Sequence, residues 1–237
     1  MTDTAPVITI DGPSGSGKGT ISRLLAGRLG WHFLDSGALY RITGLAALRQ
    51  KVSFDDEAAL GRVAAGLDIR FEEHDSGADT RFLLAGEDVS DAIRREECAS
   101  AASRVAVMAS VREALLMLQR DCRRSPGLVA DGRDMGTVVF PTAELKIFLV
   151  ASAAERAKRR HKQLKDKGID GSLDALLADI EARDARDSNR SVSPLMRAED
   201  AVLLDSTTKG IDEVVDTVLN CWQEVKAGRR SKDGVSV

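Results

Sequence analysis

Apolar positions along the chain follow two alternating rhythms. Residues 7–11 (Val-Ile-Thr-Ile-Asp) form a short β-branched run ending in a glycine-rich turn, the pattern of a strand buried in a parallel sheet. After the turn, Ile21, Leu24, Leu25 and Leu29 recur at helical spacing, and Gly30 stands where a helix C-cap belongs. A second strand is predicted over 31–35 and a helix over 36–50, with Ser36 near its N-cap. The middle of the chain breaks the alternation. There, 67–73 and 80–85 read as β-rich runs around a turn at 74–79, with 86–89 after them, a small antiparallel element. One long helical stretch is expected over roughly 91–122, followed by central strands at 127–131 and 145–150. A very basic helix is predicted over 154–167, another helix over 173–187, and a last strand over 201–205. An amphipathic helix over about 211–226 closes the pattern, and the polar tail at 228–237 is expected to be disordered. Alternating strands and helices imply an α/β fold, a parallel sheet with helices on both faces.

Composition narrows this little. The 237 residues, 43% hydrophobic and 30% charged, suit one large soluble globular domain, or one domain with an insertion. A net charge of −3 gives no global attraction to nucleic acid, so basic residues matter only where they cluster. Cys98, Cys122 and Cys221 are odd in number and far apart, which suggests neither a disulfide framework nor a zinc site and favours a reducing compartment. With no basic-then-apolar leader and no run of ~18 apolar residues, a soluble cytoplasmic protein without membrane contact is expected.

Chemistry enters with Gly12-Pro13-Ser14-Gly15-Ser16-Gly17-Lys18-Gly19-Thr20, the GxxxxGK phosphate loop set between strand and helix. Glycines let successive backbone N–H groups turn inward around phosphate oxygens, and the helix N-terminus adds its positive dipole end. Lys18 supplies a full charge at the β- and γ-phosphates of ATP. Gly19 follows the lysine where most such loops carry Ser or Thr, a form seen in nucleoside monophosphate kinases. Mg2+ is therefore expected to be held chiefly through water and nucleotide, with Thr20 and Asp131 as the nearby candidates.

Four further clusters invite a functional reading. Ser36 with Arg41 one turn on suits a second phosphate site, or else a capped helix with a surface arginine. The apolar run ending in Asp131 resembles a Walker B strand, and Arg133 and Asp134 follow at its carboxyl end, where open α/β sheets bind ligands; a charged turn with a local ion pair is the alternative. Arg183, Asp187 and Arg190 share one helical face, as a phosphate grip or a solvated ladder. Arg156, Arg159 and Arg160 share another, as a lid over ATP or a basic helix for nucleic acid. No aromatic residues interleave with that last helix, which argues against a single-strand platform.

Five stretches, at 7–20, 34–41, 130–141, 183–190 (Arg-Asp-Ala-Arg-Asp-Ser-Asn-Arg) and 204–207 (Leu-Asp-Ser-Thr), make the chain resemble bacterial cytidylate kinases from about residue 6 to 226. The resemblance implies a single P-loop kinase domain over 1–237, a CMP-binding insert near 63–103 and a short lid near 153–168. It implies that Ser36, Arg41, Arg133 and Arg190 hold the acceptor phosphate, Arg183 and Asp187 meet the ribose of CMP or dCMP, and Ser103, Arg112 and Asp134 read cytosine. A monomer is expected on the same ground. Val150 departs from the Asp often found there in the family. The base-reading trio is chemically apt: a carboxylate accepts from the cytosine N4 amino group, whereas uracil would turn its O4 lone pairs on that carboxylate.

The expected reaction is in-line transfer of the ATP γ-phosphoryl to CMP or dCMP. Positioning and charge neutralisation carry such a transfer, with Lys18, Arg133, Arg159 and Arg190 at the reacting groups and Arg156 and Arg160 closing over ATP. Rival readings are a P-loop kinase for another small acceptor such as shikimate or UMP, a nucleotide switch, and a nucleic-acid binder. No Asn-Lys-x-Asp guanine motif is present to support a GTPase.

Overall fold

The computed structural model describes residues 5–73, 80–166, 168, 170–190 and 192–228. The predicted turn at 74–79, residue 167 of the predicted lid and the tail beyond 228 lie outside these residues. Two compact units emerge, one from 1–33 with 123–237 and the other from 34–122.

The first unit is built on a sheet whose central strand β1 (Val7–Asp11) is buried along its whole length. On one side β1 pairs in parallel with β6 (Leu128–Gly132), and on the other with β7 (Leu145–Val150), which pairs in parallel with β8 (Val202–Asp205). The strand order is β2-β6-β1-β7-β8, with β2 (His32–Asp35) at the edge. Thus β6, not β2, is the neighbour of β1, a choice of register and order that no local sequence pattern encodes.

Alternate strand residues point to opposite faces. Ile8 and Ile10 join Val129, Ile147, Leu149 and Leu204 under α1 (Lys18–Leu29) and α8 (Ile211–Lys226), which contribute Leu25, Val214 and Val218. Each such aliphatic side chain taken from water stabilises by about 1.5–3 kcal/mol. Trp31 and Trp222 meet edge to face at 5.1 Å beside this core. On the other face, Thr9 and Asp11 meet a π-helical turn, Met135–Val139, whose Gly136 leaves no room for a side chain: a Cβ there would lie 2.9 Å from Thr9 Oγ1. The basic helix α6 (Ala153–Asp166) and α7 (Leu173–Ser188) complete the unit.

The second unit contains α2 (Ser36–Arg49), α3 (Glu57–Ala65), α4 (Glu96–Val105), α5 (Ala109–Arg120) and an antiparallel sheet of β3 (Ile69–Glu73), β4 (Thr80–Leu84) and β5 (Glu87–Asp88). Ala38 and Ile42 of α2 form its core with Phe82, Val89 and Ile93. The expected long helix over 91–122 is instead a 3-10 turn (Ala92–Arg94) and two helices broken near residue 107. At that break Arg112 donates to the Ala106 carbonyl at 3.1 Å, satisfying one of the acceptors a helix end leaves open. Helix α3, a capped amphipathic segment, is absent from the elements expected from the sequence. Its Asp56 side chain accepts from Ala59 N, while Leu60, Val63 and Ala64 are buried. Asp35, not Ser36, caps α2, accepting from Ala38 N at 2.9 Å.

Candidate active site

Strand β1 delivers the chain into the phosphate loop, and α1 leaves it. The N-cap of α1 is Gly17 at φ 92°, a left-handed conformation that glycine adopts without strain. Lys18 folds back over the loop, its Nζ donating to Pro13 O at 3.3 Å. Ser16 is buried, and its hydroxyl has no hydrogen-bond partner among the described residues. At Gly19 an added Cβ would stand 3.1 Å from Asp131 Oδ2, so the missing side chain leaves the end of β6 open towards the start of α1. Thr20 is exposed on α1.

Three acidic groups gather beside the loop. Asp11 is buried, and its carboxylate accepts from Met135 N and Gly136 N, each at 2.8 Å. Burial drives its pKa up; the two backbone N–H groups oppose this, and Asp134 and Asp131 add repulsion, leaving it pushed up to about 7. Asp134 precedes the π-helical turn and is itself buried, its carbonyl accepting from Val138 N and Val139 N. These acids and the open position at Gly19 fit a divalent cation arriving with a polyphosphate, with Asp131 and the Thr20 hydroxyl as the groups that would hold it, through water.

Arg133, Asp187 and Arg190 come together from the end of β6 and the end of α7. Arg133 Nε donates to Asp187 Oδ2 at 2.9 Å, and Arg190 Nη2 donates to Asp187 Oδ1. Asp187 is only 1% exposed, and each of its two oxygens accepts from one guanidinium group. Burial works to raise its pKa, but Arg133, then Arg190 and Arg183, outweigh that and hold the carboxyl below its ordinary value. A cluster of three arginines against one carboxylate keeps a surplus of positive charge for an anion.

The lid arginines differ from one another. Arg156 is buried and hydrogen-bonded to Ala151 O, Ser14 O and Asp184. Arg159 donates to Glu155, to Ser16 O at 3.3 Å and to Ser206 O at 2.6 Å. Arg160 points outward and is exposed.

In the second unit, Gly44 lets α4 approach α2; a Cβ there would come within 2.8 Å of Ala101 Cβ. Arg112 of α5 lies over the ring of Tyr40 at 5.6 Å from its centroid, and Arg41 is half-buried one residue on. Ser36 is buried and donates its hydroxyl proton to Gln119 Oε1 at 2.8 Å, while Gln119 Nε2 donates to Leu115 O. A hydroxyl has one proton, so Ser36 offers none to a phosphate in this arrangement. Ser103 donates to Ala99 O one turn back.

The sequence matches the cytidylate kinase family over residues 8–224. The chain belongs to that family. Among cytidylate kinases, that of Shewanella loihica is 57% identical to this chain over 224 residues, covering 94% of this chain and 97% of its own. That of Aeromonas salmonicida is 59% identical over 219 residues, covering 92% and 94%. A solved gluconokinase from Sinorhizobium meliloti 1021 aligns over 95% of each chain with 15% identity and a TM-score of 0.48.

In this cytidylate kinase family member, several residues that shape the site escaped the sequence reading. Asp11 closes the β1 run and looks like strand-end punctuation. Asp184 sits inside the 183–190 stretch, where its charge is one among several alternating with arginines, and Ser206 lies in the Leu-Asp-Ser-Thr stretch. Gln119 gives no sequence signal, because its role depends on α5 lying beside the start of α2. Among the described residues no helix is long and apolar enough to cross a membrane, and no group of three or more His, Cys, Asp or Glu side chains could hold a metal alone.

Proposed function

We propose that this chain transfers the γ-phosphoryl of ATP to CMP or dCMP, giving ADP and CDP or dCDP. The single observation that carries the reading is the grouping of Arg133 and Arg190 on the buried Asp187, a preformed grip for a phosphate dianion that stays positive after its internal pairing. Membership of the cytidylate kinase family and the named relatives support the acceptor base.

The γ-phosphoryl is bound by the phosphate loop with Lys18, and Arg159 and Arg160 approach from α6. Mg2+, the cation this chemistry uses, supplies charge neutralisation on the transferring group. Arg41, Arg133 and Arg190 hold the acceptor phosphate; Ser36 joins them only by turning its hydroxyl away from Gln119. Since that phosphate is largely dianionic at neutral pH, an oxygen attacks in line without a general base. Asp187 and Arg183 meet the ribose, Asp187 while holding its two arginines. Ser103, Arg112 and Asp134 read cytosine, Asp134 by accepting from N4.

The test is a coupled ADP-release assay with Mg·ATP and CMP, dCMP, UMP and AMP offered separately. Turnover with CMP and dCMP well above the other two is expected. ATP binding without turnover of any acceptor would overturn the assignment.

A further inference from the structure

Arg156 carries the shape of a nucleotide ligand and the contacts of something else. Its side chain is 4% exposed, and the guanidinium is occupied within the protein. Nε donates to Ala151 O at 3.0 Å, Nη1 to Ser14 O at 2.9 Å and to Asp184 Oδ1 at 3.0 Å, and Nη2 to Asp184 Oδ2. Arginine has five N–H donors. Little of it is left for an ATP oxygen.

The Ser14 contact bears on the phosphate loop directly. A trans peptide is planar, with its C=O and the next N–H pointing in opposite directions. By drawing the Ser14 carbonyl towards α6, Arg156 sends the Gly15 N–H the other way, as one of the inward-facing donors such a loop needs. Contact is close: a Cβ at Gly15 would stand 3.3 Å from Arg156 Cβ. Arg159 repeats the arrangement two peptides on, donating to Ser16 O, an acceptor it shares with the Ser206 hydroxyl at 3.2 Å. Asp184 fixes Arg156 from α7 through a two-point contact that sets the plane of the guanidinium.

We infer that Arg156, oriented by Asp184, is a positioning residue that sets the peptide orientation of the phosphate loop from outside it and is not itself a ligand of the nucleotide. Asp184 thereby ties α7, which carries Arg183 and Asp187, to the loop that binds the donor. Helix α7 ends two residues short of Arg190, so Arg190 is not on the helical face the sequence predicted. This inference rests on the proposed ATP-dependent reading.

The two roles predict opposite signs for the loss of Asp184. Were Arg156 a phosphate ligand, Asp184 would compete with the nucleotide for it, and Asp184→Ala would leave Mg·ATP binding unchanged or tighten it. As a positioning pair, Asp184→Ala and Arg156→Ala each raise the Kd for Mg·ATP about tenfold, the effect of turning roughly one loop donor away. The double variant then costs no more than Arg156→Ala alone, because both changes remove one unit. Arg156→Lys, which keeps the charge but not the fork, behaves like Arg156→Ala.

The experiment is equilibrium titration of the full chain with Mg·ATP and no acceptor, well below each variant's melting temperature, with thermal melts alongside. If Asp184→Ala leaves its buried arginine too costly to fold, Asp184→Asn and the double variant, which removes both charges, carry the comparison. Unchanged or tighter binding on loss of Asp184 overturns the inference. So do single effects that add in the double variant, and a fall in melting temperature with no change in Kd. Failure of the wild-type chain to bind Mg·ATP overturns the functional reading beneath it instead, and turnover of CMP is not needed for either result.

Discussion

Asp187→Asn removes one negative charge from between two arginines and changes almost nothing in shape. In the wild-type chain the carboxylate accepts one charge-assisted bond from Arg133 and one from Arg190. The asparagine oxygen can still accept from one of them, while its NH2 group turns donors towards the other. Losing one such bond is worth about 1.5–3 kcal/mol. Breaking a buried pair outright sets an upper bound of about 3–5 kcal/mol. The side chain of Arg133 is 17% exposed and that of Arg190 9%, so water recovers part of the loss. A destabilisation of about 2–3 kcal/mol follows, or a melting temperature about 5–10 °C lower for a chain of this size. Thermal and urea unfolding without substrate measure it, and an unchanged urea slope would show that only stability moved. Acid offers a second check. The carboxyl titrates below its ordinary value of 3.8 in the folded chain, so its contribution is present above that pH and fades as pH falls through the lower folded value. Wild type and variant should therefore converge in strong acid. A drop in melting temperature below about 2 °C at neutral pH would show that Asp187 is not what holds the two arginines.

Three further outcomes are expected. Lys18→Ala lowers kcat for ADP release by two or more orders of magnitude while circular dichroism stays native, as expected for charge removed from a transferring phosphoryl group; a near wild-type rate refutes the loop assignment. Asp134→Ala shrinks the ratio of kcat/KM for CMP over UMP by roughly tenfold or more, since a lone-pair repulsion and a buried unpaired group no longer discriminate; an unchanged ratio means some other group reads N4. Asp11→Asn removes the titrating group, at the cost of one of the two acceptors that Met135 N and Gly136 N use. Because burial pushes the folded pKa of Asp11 up to about 7 from 3.8, its favourable contribution is complete below about pH 4 and lost as pH rises through 7, so wild-type stability should decline across that window relative to the variant. Parallel stability profiles in magnesium-free buffer would contradict this.

What was legible in the sequence is what is local. The β1 run, the glycine loop and α1 are written in consecutive residues, and their places in the structure follow the pattern. The clusters at 131–134 and 183–190 were legible as charge at a strand end and along a helix face, but not as one assembly, since joining Arg133 to Asp187 takes a contact across 54 positions. The break between α4 and α5 was hidden because no Gly or Pro marks it; the chain turns where Arg112 can close the open end of α4. Nor could sequence show the π-helical turn, which depends on Asp11 reaching two backbone N–H groups more than a hundred residues away. Arg156 is the sharpest case. Its place among three helical arginines suggested a nucleotide contact, and only Asp184, 28 positions on, shows how the side chain is occupied.

The gap at Gly19 sets a limit on redesign. A serine or threonine there would give the loop a hydroxyl for the cation, as most such loops have, but its Cβ would press to 3.1 Å from Asp131 Oδ2 and displace the carboxylate. Loop hydroxyl and strand carboxylate therefore crowd one another, and the carboxylate has to give by a few tenths of an ångström before both fit. Grafting the commoner loop onto this scaffold would gain one cation anchor while re-aiming the other, so the carboxylate of Asp131 would meet the cation from a shifted position.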